Sequence, residues 1–474
     1  MIPGSRSTSL LLAAAAATAH AQSCSVNDLT VDYPAPEAAD GWSYRLVARD
    51  LTKPRSILFD SDGHLIVLDA GEGIYRFGID QDEGGTCLSL GDKETLLENE
   101  DLNHGLALSE DGETIYASTE NEVYSWPYDA SRSSINNDDR TTLITNMSNT
   151  DHTTRTLLLS KSEPVTLFVS RGSQSNLDDE AADIDSGHSQ IRGFNLTDLG
   201  GDDPVEYTDG RVWGWGLRNA VGVAEDPTHG GLWSVENSVD ELRRNGEDIH
   251  RDNPGEELNF HGFVNGTDAR FGNNNYGYPE CYAIWGTENF PDRGDLVVGD
   301  QFPDEDNSDE TDETCNEDYL SPRLTFQAHM APLDILFAQD GRELFVSFHG
   351  SWNREDPVGY KISSVAFNAD GMPEANSDSR NGTKDVLTTP DLGNCPDECF
   401  RPVGMAWDAD GRMWFTSDST GEIFVMERTS GGGDNGDGSD GGDDDGDEED
   451  AAVSLTQPRL VVAFGAIVVG LLLV

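Results

Sequence analysis

The sequence contains few basic residues. Its 474 residues include 30 Lys and Arg, only five of them Lys, against 89 Asp and Glu, and the formal net charge is −59 at pH 7. Proteins that bind nucleic acid need clustered Lys and Arg to neutralise phosphates. The composition therefore argues against nucleic acid as a partner, and it predicts an acidic surface of the kind that keeps a protein soluble in acid or salt.

The chain also lacks a helical 3.6-residue period between Trp42 and Arg428. It repeats an apolar strand, a turn of the Asp-Gly type and a second apolar strand, which is typical of β-hairpins. Six such units begin at Ile57, Gly105, Leu157, Gly222, Ile335 and Gly404. Recurrent units of this kind indicate a radial or solenoid architecture. We predict an all-β fold, a six-bladed β-propeller that closes on itself, and we expect a strand near Tyr44 to Ala48 to complete the last blade.

One stretch interrupts the repeat. Between Leu242 and Leu333 the sequence is rich in Gly, Asn, Asp and Pro and shows little strand pattern. Long loops in compact domains are usually functional or disordered, and the aromatic residues and cysteines of this one favour an ordered segment. We expect a long loop insertion that supplies part of a blade and a lid or wall over one face.

Both ends of the sequence carry targeting patterns. Residues 1–21 have a basic residue, an apolar core and a small-residue cleavage site, as in a secretory signal peptide, so the mature chain should start near Gln22. Residues 431–450 form an acidic Gly/Asp linker, and residues 451–474 follow the pattern of a GPI attachment signal, with a C-terminal membrane anchor as the alternative. We expect residues 22–430 to fold as the propeller domain at the extracellular face of the plasma membrane, tethered by the lipid anchor. Four sequons predict surface glycosylation at Asn146, Asn195, Asn265 and Asn381.

Cysteine is scarce, and its number is even. An even count in a secreted chain predicts disulfides. The six residues are Cys24, Cys87, Cys281, Cys315, Cys395 and Cys399, and their spacing favours pairing in sequence order. A zinc site at the last two is the alternative, but no second close pair or nearby His would complete a tetrahedral set.

Arginines recur at the end of a repeat strand. They are Arg55, Arg155, Arg218, Arg354 and Arg401. Equivalent positions of successive propeller blades converge on the central channel. A ring of arginines at one channel mouth would bind a multiply charged anion, because guanidinium matches carboxylate bidentately. The alternative is that each Arg pairs with an acidic residue of a neighbouring blade.

Histidines and tryptophans accompany these arginines. The histidines at matching positions are His104, His152 and His349, and the tryptophans are Trp213, Trp215 and Trp352. A neutral His beside a substrate hydroxyl can act as general base, and Asp151 could orient either His152 or a sugar hydroxyl. Each His could equally be structural. The tryptophans are core residues by default, or they stack on a planar cofactor or a sugar face.

No dense metal motif is present in the sequence, neither an EF-hand pattern nor HExxH. A hard cation can still bind loop carbonyls together with oxygen atoms of another ligand. The candidate segments are Glu236 to Leu242 and Asp252 to Asn259.

Several motifs together resemble one family. They are GLRNAVG at 216–222, HMAP at 329–332, FHGSWNR at 348–354 followed by GYK, and FRPVGMAW at 400–407. As a set they resemble the sorbosone and glucose dehydrogenase-like quinoproteins, in particular the fungal pyranose dehydrogenases that depend on pyrroloquinoline quinone (PQQ). The resemblance covers nearly all of the span from Trp42 to Arg428, and the six-bladed propeller of that family agrees with the repeat count.

The resemblance implies a Ca²⁺-bound quinone at the channel mouth. On the matching motifs, Arg218 and Asn219 would contact the quinone. The expected partners of its carboxylates are Arg55, Arg354, Lys361 and Arg401, and we include Arg155 and Trp352 in the cofactor site. His152 stands where related enzymes place their general base, with His349 as the alternative. Loop carbonyls, here Ser238 and Val239, would hold the calcium, although this sequence departs from the Gly-Pro of bacterial relatives there.

These observations lead to one functional hypothesis. We predict an extracellular PQQ- and Ca²⁺-dependent dehydrogenase that oxidises the C1 hydroxyl of pyranoses. Electrons would pass to an external acceptor such as a cytochrome b, a quinone or another oxidoreductase, because the sequence shows no cytochrome domain. The alternatives are a calcium-dependent propeller lactonase or esterase, and a non-catalytic carbohydrate-binding propeller at the cell surface.

Overall fold

The computed structural model describes residues 24, 29–132, 134–266, 274–304 and 308–429, without the side chains of 82–84. The chain divides into two units, 1–432 and 433–474. The predicted signal peptide, acidic linker and C-terminal anchor segment all lie outside the described residues.

Six antiparallel sheets form the blades, and four of them have four strands each while two carry a fifth. Blade 1 contains Pro54–Phe59, Leu65–Asp69, Gly73–Phe77 and Glu94–Glu98. Blade 2 contains Leu106–Leu108, Thr114–Ser118, Val123–Pro127 and Thr141–Thr145, with Val205–Glu206 added in parallel. Blade 3 contains Leu157–Leu159, Thr166–Arg171, Gln190–Asn195 and Arg211–Trp215.

The other three blades follow the same order. Blade 4 contains Ala220–Glu225, Gly231–Glu236, Glu256–Phe263 and Leu324–Phe326. Blade 5 contains Pro332–Phe337, Glu343–Phe348, Lys361–Ala366 and Lys384–Thr388, with Glu37–Ala38 at its edge. Blade 6 contains Pro402–Trp407, Met413–Ser417 and Glu422–Arg428, and Trp42–Ala48 completes it. The six-bladed propeller, including the closing strand from the N-terminal side, is therefore confirmed.

Apolar residues on the two faces of each sheet fill the spaces between neighbouring blades. On the second strand of blade 5, Leu344 and Val346 pack against blade 4, while Phe345 packs against blade 6. Both faces are thus covered, which explains why strands such as Leu65–Asp69 and Met413–Ser417 are buried at every position. The core is a set of layers between blades, and all six layers are needed to close the ring.

Glycines allow the innermost strands to approach closely around the channel. A Cβ atom at Gly222 would lie 2.9 Å from the backbone of Asp334 in blade 5, and one at Gly404 would lie 2.6 Å from the carbonyl oxygen of Arg55 in blade 1. Any side chain at these positions would force neighbouring blades apart. The glycines that begin two of the repeat units therefore set the width of the channel.

The long insertion is ordered where it is described, and it contains regular elements that the sequence pattern did not show. The strands Glu256–Phe263 and Leu324–Phe326 are the outer half of blade 4. Between them the hairpin Cys281–Ala283 with Gln301–Pro303 carries the α-helix Asp312–Asp318. Thr311 caps that helix, accepting a hydrogen bond from the backbone N–H of Thr314.

Short elements complete the described structure. The remaining hairpins are Ile79–Gly84 with Cys87–Leu90, and Arg243–Arg244 with Glu247–Asp248. The 3₁₀ turns are Asn137–Asp139, Asp179–Ala182, Ile184–Ser186, Leu196–Asp198, Tyr207–Asp209 and Leu392–Asn394. Within the described residues, no helix has the length and apolar character needed to cross a bilayer.

The three predicted disulfides are confirmed: Cys24–Cys87, Cys281–Cys315 and Cys395–Cys399. The zinc alternative for the last pair is wrong, because both sulfur atoms are used in the bond.

Candidate active site

One end of the propeller carries a cavity of about 460 Å³, a volume typical of small-molecule sites. Its walls come from the loops that enter the first strands of blades 3 to 6 and from the loops that leave the second strands of blades 4 and 5. These loops lie at the same end because the two strands are antiparallel. Eight residues predicted from the sequence line the cavity: Asp151, His152, Arg218, Asn219, Ser238, His349, Trp352 and Arg401.

His152 has a fixed orientation. Its Nδ1 lies 3.0 Å from the carbonyl oxygen of Ser173 and 2.9 Å from the Ser173 hydroxyl. Donation from Nδ1–H to that carbonyl leaves the lone pair on Nε2. Burial, and then the positive charge of Arg218, lowers the pKa of His152 to about 4. The imidazole is therefore neutral at physiological pH and can accept a proton.

Arg155 holds the loop that carries His152. Its guanidinium, fully buried, donates to the carbonyl oxygens of His152 at 2.8 Å, of Thr154 at 2.6 Å and of Met147. The side chain does not line the cavity, so the structure gives Arg155 a role in shaping the backbone beneath the site.

Arg218 and Asn219 lie in the loop that leads into the first strand of blade 4. The Arg218 guanidinium donates to the carbonyl oxygen of Asn176 at 3.1 Å, to its side-chain oxygen at 2.8 Å and to the carbonyl oxygen of Asn237 at 3.2 Å. Asp240 is 3.7 Å away. The cation is buried and held by four groups of the surrounding loops, which fixes its position in the wall of the cavity.

One side of the cavity is acidic, and the sequence did not identify its residues individually. Asp240 accepts hydrogen bonds from Asn353 at 2.5 Å and from His329 at 3.2 Å. Burial raises the pKa of Asp240, but the bond from His329 and the charge of Arg218 outweigh it, and the net shift is downward. Glu256 accepts from the backbone N–H of Ser238 at 2.7 Å, and burial raises its pKa to about 7.

The signals for these residues were present in the sequence. Asp240 and Glu256 lie in the two acidic segments considered for a metal, and His329 opens the HMAP motif. The structure brings the two segments together, because the backbone N–H of Ser238 in one donates to Glu256 in the other. The side chain of Val239 is instead buried in an apolar cluster with Leu242, so only its backbone could serve the cavity.

His349 and Arg401 form the remaining wall. Arg401 donates to the carbonyl oxygen of His349 at 3.1 Å and to that of Gly350 at 2.7 Å. Asp418 accepts from His349 Nε2 at 2.7 Å and from Arg55 at 2.7 Å. Arg55 therefore lies beneath the cavity, paired with Asp418, rather than in its lining.

Two further predicted residues lie outside the cavity lining. Arg354 donates to the carbonyl oxygens of Asp356 at 3.0 Å and of Arg251. Lys361 pairs with Asp385 at 2.7 Å. The five arginines thus do not form the expected ring: two line the cavity, and the others bind neighbouring carbonyls or a carboxylate.

Trp213 and Trp352 lie in different surroundings. Trp213 is buried between blades 3 and 4 and packs edge-on against Phe168, which is the core alternative. Trp352 lines the cavity and is 71% exposed. An exposed indole at the mouth of a polar cavity offers a flat surface for a ring to stack on.

Residues 36–429 match the family model described as TrAA12-like. The chain belongs to this family. It is 53% identical over 419 residues to the pyrroloquinoline quinone-dependent sugar dehydrogenase of Hypocrea jecorina (strain QM6a), covering 88% of this chain and 95% of that protein. Similarity over almost the whole of both chains places this protein in the same family as that PQQ-dependent sugar dehydrogenase, which is an oxidoreductase.

Solved structures of relatives agree with the fold. The calcium structure of the Trichoderma reesei carbohydrate-active enzyme of family AA12 superposes with a TM-score of 0.83 at 55% identity, over 85% of this chain and 100% of that one. The holo form of the pyranose dehydrogenase PQQ domain from Coprinopsis cinerea gives a TM-score of 0.77 at 34% identity, over 84% and 98%. The family resemblance predicted from the motifs is confirmed.

The residues of the cavity fit the quinone. PQQ is planar and carries three carboxylates, and the cavity offers two guanidinium groups, Arg218 and Arg401, together with the exposed ring of Trp352. Arg is suited to carboxylates because its donors form a planar fork. Next to Arg218, the residues Asp240 and Glu256 and the loop at Ser238 provide the oxygen atoms that a hard cation prefers.

Proposed function

We propose that this TrAA12-like protein oxidises the C1 hydroxyl of a pyranose with PQQ and Ca²⁺ and transfers the electrons to an external acceptor. One observation carries the proposal: a neutral His with a fixed tautomer shares a cavity with two arginines and an exposed tryptophan. This combination supplies a proton acceptor, an anion site and a stacking surface within one volume.

His152 is the general base of the proposed reaction. Its Nε2 would take the proton of the C1 hydroxyl, while the bond from Nδ1–H to Ser173 keeps the ring in place as positive charge develops. Asp151 is exposed beside it and would accept a hydrogen bond from a sugar hydroxyl. We prefer His152 to His349 for this role because His152 stands where related enzymes place their general base and has Asp151 beside it.

Arg218, Arg401, Asn219 and Trp352 are the proposed cofactor-binding residues. PQQ, when bound, accepts the two electrons of the oxidation, and Ca²⁺ assists as a Lewis acid. The arginines would neutralise the carboxylates of the cofactor. Arg55, Arg155, Arg354 and Lys361 would act indirectly, through the loops or side chains that they hold.

The calcium is proposed to bind at the loop that follows the second strand of blade 4. The carbonyl groups of Ser238 and Val239 stay our candidates, and Asp240 and Glu256 bring negative charge to the same loop. Support for a cation here comes from the buried acidic side chains and from the calcium structure of the Trichoderma reesei relative.

The cell surface is the proposed location. The support is in the sequence: the signal peptide pattern at 1–21, the anchor pattern at 451–474 and the four sequons. Asn146, Asn265 and Asn381 are exposed, as glycosylation would require. The anchored enzyme would pass electrons to a cytochrome, a small quinone or another oxidoreductase outside the cell.

Release of the protein from cells by a phosphatidylinositol-specific phospholipase tests the lipid anchor. Retention of the protein on treated cells would contradict it.

The deciding experiment is a titration of the metal-free protein with PQQ, with and without Ca²⁺, followed by dye reduction with a panel of pyranoses. We expect tight binding that requires Ca²⁺ and reduction that requires a sugar. His229→Asn is a suitable control variant, because His229 pairs with Asp226 outside the cavity. Binding of PQQ without any sugar-driven reduction would contradict the proposed reaction, and no binding would contradict the cofactor site.

A further inference from the structure

Beneath the cavity, Asp418 of blade 6 contacts His349, which follows the second strand of blade 5, and Arg55 of blade 1. Asp418 lies at the end of the second strand of blade 6, and 4% of its surface is exposed. One carboxylate oxygen, Oδ1, lies 2.7 Å from His349 Nε2, and the other, Oδ2, accepts from the Arg55 guanidinium at 2.7 Å. Arg55 in turn lies 3.3 Å from His104 through its Nε. None of these contacts takes a direct part in the proposed reaction.

The contacts determine which nitrogen of His349 carries the proton. Burial raises the pKa of Asp418, but the hydrogen bond and charge of His349 and the charge of Arg55 lower it far more, so the group is a carboxylate. A carboxylate only accepts hydrogen bonds, and Nε2 of His349 must therefore be the donor. Burial lowers the pKa of His349 to about 4, so the ring is neutral and its lone pair is on Nδ1.

That lone pair is available to a ligand. His349 lines the cavity, its side chain is 16% exposed, and no described residue forms a hydrogen bond with its Nδ1. The backbone of His349 is held on both sides: its N–H donates to Ala331 and its carbonyl oxygen accepts from Arg401. The charged groups that act on the ring are Asp418, Arg401 and Arg55. The ring is thus a fixed hydrogen-bond acceptor in the wall of the cavity.

We propose that His349 is a specificity-determining residue, whose Nδ1 accepts a hydrogen bond from a sugar hydroxyl other than the one oxidised, and that Asp418 is the positioning residue that selects this tautomer. The inference rests on the proposed function, because it concerns the same substrate. A site built around such a bond discriminates against a sugar that lacks the hydroxyl, since the acceptor is then left without a partner.

Asp418→Asn tests the tautomer with almost no change of shape. Arg55 has only donors, so the amide oxygen must face Arg55 and the amide NH₂ must face His349. Nε2 then becomes the acceptor and the proton moves to Nδ1, which turns the acceptor in the cavity into a donor. The ¹⁵N NMR spectrum of the metal-free protein distinguishes the two tautomers without cofactor or activity. A spectrum with the proton still on Nε2 of His349 in the variant would overturn the proposed role of Asp418.

The kinetic measurement uses the best substrate and its monodeoxy analogues with the PQQ- and Ca²⁺-loaded enzyme. For the wild type we expect one analogue to be disfavoured by about ten- to hundredfold in kcat/KM. In Asp418→Asn this ratio should fall to within about threefold of one, mainly through a higher KM for the full substrate, while the Kd for PQQ is unchanged. His349→Asn, which retains an acceptor near the Nδ1 position, should keep part of the discrimination, and His349→Leu should lose it.

The proposed role of His349 and Asp418 and the proposed dehydrogenase function would fail in different ways. An unchanged discrimination ratio in Asp418→Asn and His349→Leu, with PQQ bound normally, overturns this inference and leaves the proposed function standing. No sugar-dependent reduction by the loaded wild type overturns the proposed function and the inference together. If Asp418→Asn does not fold, the two His349 variants decide the role of the acceptor.

Discussion

His152 carries the most specific prediction at the level of single residues. His152→Asn keeps a donor for the carbonyl oxygen of Ser173 but removes Nε2. We expect kcat to fall by about 10²- to 10⁴-fold, the usual contribution of a general base, with the Kd for PQQ unchanged. The measurement is dye reduction under saturating sugar beside a PQQ titration. The matched control His229→Asn should retain full activity, and equal losses in both variants would contradict the assignment.

The pH dependence of the reaction tests the same residue in the unmodified enzyme. Because burial and Arg218 lower the pKa of His152 to about 4, the imidazole is neutral above that pH and gains a proton below it. We expect the acid limb of kcat/KM to lie near pH 4, with a tenfold loss per unit below it. An acid limb near 6.5, the ordinary value for His, would show that His152 is not the base or is solvated in the enzyme. Dilute protein is needed, since the sequence pI is about 4.1.

Among the structural elements, the long insertion depends most on its disulfide. Cys281–Cys315 links the hairpin to the helix Asp312–Asp318 across 34 residues, while Cys395–Cys399 spans only 4. The loop-entropy model predicts a loss of about 4 kcal/mol for the double Ser variant of the first pair and about 2 kcal/mol for the second. Urea unfolding of both variants measures the difference. A larger loss from the shorter loop would contradict the entropic account.

The element that closes the ring was predictable, whereas the outer strands of blade 4 were not. Trp42–Ala48 has the alternating apolar pattern of a strand and no partner near it in the sequence, which indicates closure of the last blade. Glu256–Phe263 is buried on both faces by the insertion and blade 5. Its Glu, Asn and His residues hide the strand signal, because their burial depends on distant partners rather than on periodicity.

At the scale of the whole molecule, the negative charge opposes folding through self-repulsion. We expect NaCl to raise the Tm of the apo protein by on the order of 5 °C. Most of the rise should occur below about 0.3 M, where the Debye length has already fallen well below its value of about 30 Å at 0.01 M. Differential scanning calorimetry in a salt series measures it. A rise that is linear up to molar salt would indicate a general salting-out effect instead.

The sequence by itself determined the propeller, the disulfide pairing and the loops that carry the site. These follow from local signals: hairpin turns at each repeat, the order and spacing of the cysteines, and contiguous motifs such as GLRNAVG. A blade is a sequential antiparallel sheet, so its pattern is written in neighbouring residues.

Only the tertiary structure decided which of the predicted side chains face the cavity. Arg155 and Arg401 occupy similar places in their repeats. Arg155 donates to backbone carbonyls beneath the site, however, whereas Arg401 lines the cavity. Asp418 meets His349 across 69 residues and Arg55 across 363. Contacts between blades depend on how the ring closes, and nothing in the local sequence encodes them. For the same physical reason, the acceptor role of His349 became visible only when its partners were in place.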